Sequence, residues 1–103
     1  MADSYKIGAE RTGDGAATIL RISGELDINA RDDLREALLL AVTDGDVVVD
    51  LRDVSFLDSE ALGALIDGFN ASRAHDARFQ VVNSHDVVDR VLTVSGAKDL
   101  FDS

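Results

Sequence analysis

Residues 47–63 read Val47-Val48-Val49-Asp50-Leu51-Arg52-Asp53-Val54-Ser55-Phe56-Leu57-Asp58-Ser59-Glu60-Ala61-Leu62-Gly63. The run Val47 to Leu51 is short and mostly apolar, which predicts a strand covered on both faces. A helix is predicted from near Asp58, because Leu62, Leu65, Ile66 and Phe69 recur at i, i+3, i+4 and i+7. A buried strand running straight into an amphipathic helix is the building unit of a parallel α/β sheet.

The same pattern repeats on both sides. Downstream, Phe79 to Asn83 reads as a strand. Ser84 is placed to cap a helix with Val87, Val88, Val91 and Leu92 inward, and Gly96 ends it. Lys98 to Phe101 adds a short element of undetermined type. Upstream, Asn29 is placed to cap a helix whose stripe is Leu34, Ala37, Leu38 and Ala41, with Asp32 in its first turn, where a carboxylate suits the dipole. Asp44-Gly45-Asp46 stops it. Ala17 to Ser23 reads as a strand, Thr12-Gly13-Asp14-Gly15 as a turn, and the alternation of Tyr5, Ile7 and Ala9 with Lys6, Gly8 and Glu10 as a half-exposed edge strand. The order is β-β-α-β-α-β-α. It predicts one α/β domain over residues 1–103, with a mixed, mainly parallel sheet opened by a hairpin. Loops leaving the second, third and fourth strands are expected at one sheet edge, where α/β sites lie. They carry Glu25, Asp27, Asp53, Asp58, Ser59, Glu60, His85 and Asp86, an acidic edge with almost no cation.

Composition narrows the functions. Twenty acids against ten bases give the 103-residue chain a formal charge of -10, which disfavours nucleic acid and anionic membranes. The acidity serves either solubility or an acidic face for a basic partner. There is no cysteine, hence neither a disulfide framework nor a thiolate metal site. The apolar runs fall short of the roughly 18 residues of a membrane span, and Met1-Ala2-Asp3-Ser4 lacks a leader pattern. A cytoplasmic location is expected. Gly63 and Gly68 have the separation of a phosphate loop, but Phe69-Asn70 follow where Lys-Ser/Thr would stand, so close helix packing is the expectation. Ser59, His75 and His85 can be assembled into a hydrolase triad only on paper, since G-x-S-x-G is missing around Ser59. His75-Asp76 and His85-Asp86 read as helix-end residues, and two distant histidines have no metal-ligand spacing. No enzyme activity, cofactor or metal is expected. Asn70-Ala71-Ser72, a glycosylation sequon, falls in a helix.

Residues 53–63 place Asp, Ser and Glu at a helix start. Capping by Asp58 or Ser59, together with dipole complementarity, accounts for each residue singly but not for the run. Here the chain resembles the STAS domain family, and within it the bacterial anti-sigma factor antagonists. The resemblance rests on Val54-Ser55-Phe56-Leu57-Asp58-Ser59 with Leu62-Gly63, and on Gly24-Glu25-Leu26-Asp27, similar to that family's Gly-x-Leu-Asp loop.

The resemblance implies a protein that binds an anti-sigma factor and so frees a sigma factor for transcription. The implied partner is often a GHKL-type Ser/Thr kinase that phosphorylates the residue after the Asp-Ser pair and breaks the complex. Here that residue is Glu60, and the following glycine is Ala61. Glu60 cannot accept phosphate and carries a permanent charge. Three readings stay open: no phosphoregulation, Ser59 as the acceptor instead, or a STAS module of another role, such as a subunit of a membrane transport ATPase complex. Asp27, Asp58, Ser59 and Glu60 are the expected partner-binding residues, with Ser55 shaping the loop; Leu62, Leu65 and Ile66 are assigned to the core. Glu60→Lys is expected to weaken partner binding while leaving the thermal midpoint nearly unchanged; a large fall in the midpoint would make Glu60 structural.

Overall fold

The computed structural model describes residues 4–102; residues 1–3, read above for a leader pattern, and residue 103 lie outside the described residues. The strands are β1 (Tyr5–Arg11), β2 (Ala17–Leu26), β3 (Asp46–Leu57) and β4 (Phe79–Val82); the helices are α1 (Arg31–Thr43), α2 (Ser59–Ala74), α3 (Asp86–Val94) and α4 (Ala97–Phe101). The sheet has the order β1-β2-β3-β4. β1 runs antiparallel to β2, while β2, β3 and β4 are mutually parallel. This is the mixed α/β sheet expected, and the untyped last element is the short helix α4.

The sheet is covered on one face only, which corrects the expectation for β3. Val47, Val49 and Leu51 are buried, whereas Val48 and Asp50 on the opposite side are half-buried. The covered face also carries Leu20, Ile22 and Phe79, and all four helices contribute to the same core through residues such as Leu34, Leu38, Leu65, Phe69, Val88, Leu92 and Phe101. On the other face Arg21 lies 3.5 Å from Glu10 and 3.3 Å from Asp50, and Asn83 donates to Asp50 at 3.0 Å. Such a charged ladder is stable only on a wetted face. Phe69, Phe79 and Phe101 meet with ring centroids 5.7–5.9 Å apart. α4 contributes to this aromatic cluster through Phe101 and also buries Ala97.

β3 runs six residues past Leu51, where the apolar run ends. Past Leu51 its buried residues are Val54 and Leu57, a spacing of three. The cause is in the pairing. Arg21 opposes Asp50, Ser23 opposes Asp53, and Glu25 opposes Phe56, so β3 takes up an extra residue at each of two bulges. Each bulge shifts the inward position by one and hides the strand from a period-two reading. β2 likewise extends to Leu26 and includes Gly24. Gly24 has φ +96, and a Cβ there would fall 2.0 Å from the Ser4 carbonyl oxygen. Only glycine fits where Ser4 and Tyr5 pair this closely alongside it.

Several helix details differ from expectation. Ala30, not Asn29, is the N-cap of α1, and it makes no side-chain capping bond. His85, not Ser84, is the N-cap of α3; the Ser84 hydroxyl donates to Asp89 instead. Val87 is exposed, and only Val88 and Leu92 of the four expected residues are buried. Ala37 and Ile66 are half-buried. Gly68 does pack closely, since a Cβ would lie 3.0 Å from Leu38 Cβ, but Gly63 faces open space. No helix among the described residues is long and apolar enough to cross a membrane.

His85 ties α3 to the sheet. Its Nδ1 lies 2.9 Å from Asp86 Oδ2 and its Nε2 lies 2.7 Å from the Arg52 carbonyl oxygen. Both partners are acceptors, so the doubly protonated ring satisfies both contacts. The Asp86 carboxylate first, then the Arg52 carbonyl, raise the His85 pKa above its ordinary 6.5. A raised value in the folded state means the stabilisation is complete below the ordinary value and is lost as pH rises through the folded one. Urea unfolding should therefore show a larger stability difference between the wild type and His85→Gln at about pH 5.5 than at about pH 9.

Candidate partner-binding site

β2 and β3 end side by side. Leu26 opposes Leu57, and the Asp58 N–H donates to the Leu26 carbonyl at 3.0 Å. The next residue of each strand is an aspartate or leads to one, so Asp27 and Asp58 stand together at the sheet edge. Each carboxylate shapes its own turn. Asp27 Oδ1 accepts the Asn29 N–H and Asp58 Oδ1 accepts the Ala61 N–H, both at 2.9 Å. Asp58 is thus the N-cap of α2, and it satisfies an amide that a helix start leaves without a partner. The Asp27 side chain does the turn-closing work expected of Asn29.

Ser59 and Glu60 are the first two residues of α2, and both are exposed. Glu60 Oε2 lies 3.0 Å from Nη1 of Arg31, the first residue of α1, and Arg31 Nε lies 3.1 Å from Asp32 Oδ1. The bond to Glu60 first, then that to Asp32, raise the Arg31 pKa above its ordinary value. The two helix starts are therefore bridged by one arginine held between two acids. This corrects the expectation of an edge almost without cations. Ser55 lies within β3, not in a loop, and its hydroxyl donates to the Gly24 carbonyl at 3.4 Å.

The expected acidic edge divides in two. Asp27, Asp58, Ser59 and Glu60 share the end of β2 and β3. β4 stops at Val82, opposite Asp50, well short of the end of β3. His85 and Asp86 consequently sit beside Arg52, in a second group with Asp53. Glu25 is paired within the sheet opposite Phe56. Ser59 and His75 lie at opposite ends of α2, about 24 Å apart for a helix of that length, and no triad forms with them. Two residues were missed by the sequence reading. Ile28 and Phe56, 53% and 42% exposed, are large apolar side chains in the segments that frame the acids. A period-two count from Leu51 already turns Phe56 outward; the residue it misplaces is Val54, which the first bulge turns inward.

The site residues differ in what they contribute to stability. Asp58→Ala removes a half-buried cap and should cost about 1 kcal/mol in urea unfolding. Glu60→Ala breaks an exposed ion pair and should shift stability by less than about 1 kcal/mol. The reverse ranking would show that Glu60, not Asp58, holds the start of α2.

The profile of the STAS domain family matches residues 9–103. A STAS-domain containing protein of Pseudomonas aeruginosa (strain UCBPP-PA14) is 33% identical over 96 residues, covering 92% of this chain and 95% of the relative. An anti-sigma-B factor antagonist of Staphylococcus aureus is 31% identical over 83 residues, covering 79% of this chain and 77% of the relative. An anti-sigma factor antagonist from Mycobacterium paratuberculosis superposes with a TM-score of 0.83 at 25% identity, over 95% of this chain and 83% of that one. The unphosphorylated form of the antagonist SpoIIAA superposes with a TM-score of 0.79 at 22% identity, over 91% and 84% of the two chains, a likeness of fold. With its fold and these relatives in agreement, the chain belongs to the STAS domain family.

Proposed function

We propose that the protein is an anti-sigma factor antagonist, a cytoplasmic binding protein without catalytic activity. It occupies an anti-sigma factor and so releases a sigma factor for transcription, with no phosphoswitch at the position after Asp58-Ser59. The supporting observation is the contact between Glu60 and Arg31 at 3.0 Å at the exposed start of α2. A phosphoserine there would add roughly -1.5 to -2 charges to the interface. Glu60 adds one, and the Arg31 guanidinium offsets it. The surface offered by Asp27, Asp58, Ser59 and Glu60 then keeps a single electrostatic state. The exposed Ile28 and Phe56 supply apolar area beside it, where interface anchors are expected.

The test is incubation of the chain with a GHKL-type anti-sigma factor, magnesium and ATP, followed by mass spectrometry and an assay of the complex. The wild type should stay bound and take up no phosphate. Glu60→Ser should become phosphorylated and dissociate when ATP is added. Phosphate on Ser59 of the wild type, with loss of the complex, would overturn the proposal in favour of Ser59 as the acceptor.

A further inference from the structure

β1 is an edge strand, and its open side has a defined hydrogen-bonding phase. The Glu25 N–H donates to the Ser4 carbonyl at 2.8 Å and the Thr12 N–H to the Ala17 carbonyl at 2.9 Å. Both belong to the register in which Tyr5 opposes Gly24 and Arg11 opposes Thr18. Hydrogen-bonded pairs alternate along an antiparallel ladder. Lys6, Gly8 and Glu10 therefore turn their main-chain groups toward β2, and Ile7, Ala9 and Arg11 turn theirs toward the open edge. No proline or bulge blunts this edge, as edge strands usually require.

We propose that this edge pairs antiparallel with the same edge of a second copy of the chain, about a two-fold axis at Gly8. In that register Ile7 forms hydrogen-bonded pairs with the partner's Ala9, which is the phase the outward main-chain groups demand. Lys6 then stands opposite the partner's Glu10, and Glu10 opposite the partner's Lys6, in the closer, non-hydrogen-bonded positions. The two-fold repeats each contact, as a self-complementary interface requires. Gly8 meets Gly8 at the axis, so no side chains collide there. Sliding the strand by two residues in either direction keeps the hydrogen-bonding phase but leaves both charges opposite glycine or outside the ladder. Charge pairing thus selects one register and one occupant. Among the described residues Lys6 has no ion pair, and Glu10 has only its exposed contact with Arg21. The other side of the edge adds apolar surface: Leu40 of α1 is 62% exposed and lines a groove with Ile7 and Ala37. A second copy would cover it. The proposal is independent of which anti-sigma factor, if any, the protein binds.

Sedimentation velocity over about 10 µM to about 1 mM tests this directly. The wild type should move from the 11.0 kDa monomer toward twice that mass. Lys6→Glu and Glu10→Lys should each weaken the dimer about tenfold, since each turns two attractive pairs into repulsive ones. An equimolar mixture of these two variants should dimerise again, because each then offers the complement of the other. Ala9→Pro should abolish dimers while circular dichroism shows an intact fold, because it removes only an N–H on the open side. A wild type that stays monomeric throughout would overturn the proposal. So would a dimer that is insensitive to the charge reversals and is not restored preferentially in the mixture.

Discussion

The site depends on a mismatch of length between two paired strands. β3 carries two more residues than β2 over their shared ladder, and the two bulges absorb the excess. Without them Leu57 would not lie opposite Leu26, and the Asp58 amide would not reach the Leu26 carbonyl. The bulges also keep Leu51, Val54 and Leu57 on the core face, so apolar burial holds the strand in this register. Gly24 completes the arrangement, because only a residue without a Cβ lets Ser4 and Tyr5 pair alongside β2 at this point. Core packing and site geometry are thus two results of one pairing.

Two helix starts are brought together by this pairing, and both present positive dipole ends. The acids there are arranged in layers. Asp27 and Asp58 are spent on main-chain amides and set the backbone. Glu60 is free of such duty and instead meets Arg31 across the gap between α1 and α2. One guanidinium, that of Arg31, thus offsets part of the negative charge that Asp32 and Glu60 bring to these helix starts. The division also separates carboxylates that set the backbone from the one that stays on the exposed side of α2.

Much of the architecture was legible in the amino-acid order. The helical stripes led by Leu34 and Leu62, and the apolar run at Val47, set the alternation of strand and helix, and Asp58 was recognisable as a cap. The failures share physical causes. β3 was read as ending at Leu51 because bulges break the period of two on which strand recognition rests. A short, mostly apolar run implies burial on both faces, yet Val48 is half-buried beside the ladder of Glu10, Arg21 and Asp50. Asn29 and Ser84 have capping chemistry, but competing local bonds decide the outcome: Asp27 closes the turn before α1, and the Ser84 hydroxyl donates to Asp89. The Arg31 to Glu60 contact spans 29 positions, and no local pattern announces it.

The most direct test of the functional account is affinity capture of the intact protein from its own host's lysate, with mass spectrometry of what is retained. The account predicts an anti-sigma factor, retained whether or not ATP is present. Recovery of membrane transport ATPase subunits, with no anti-sigma factor among the bound proteins, would contradict it.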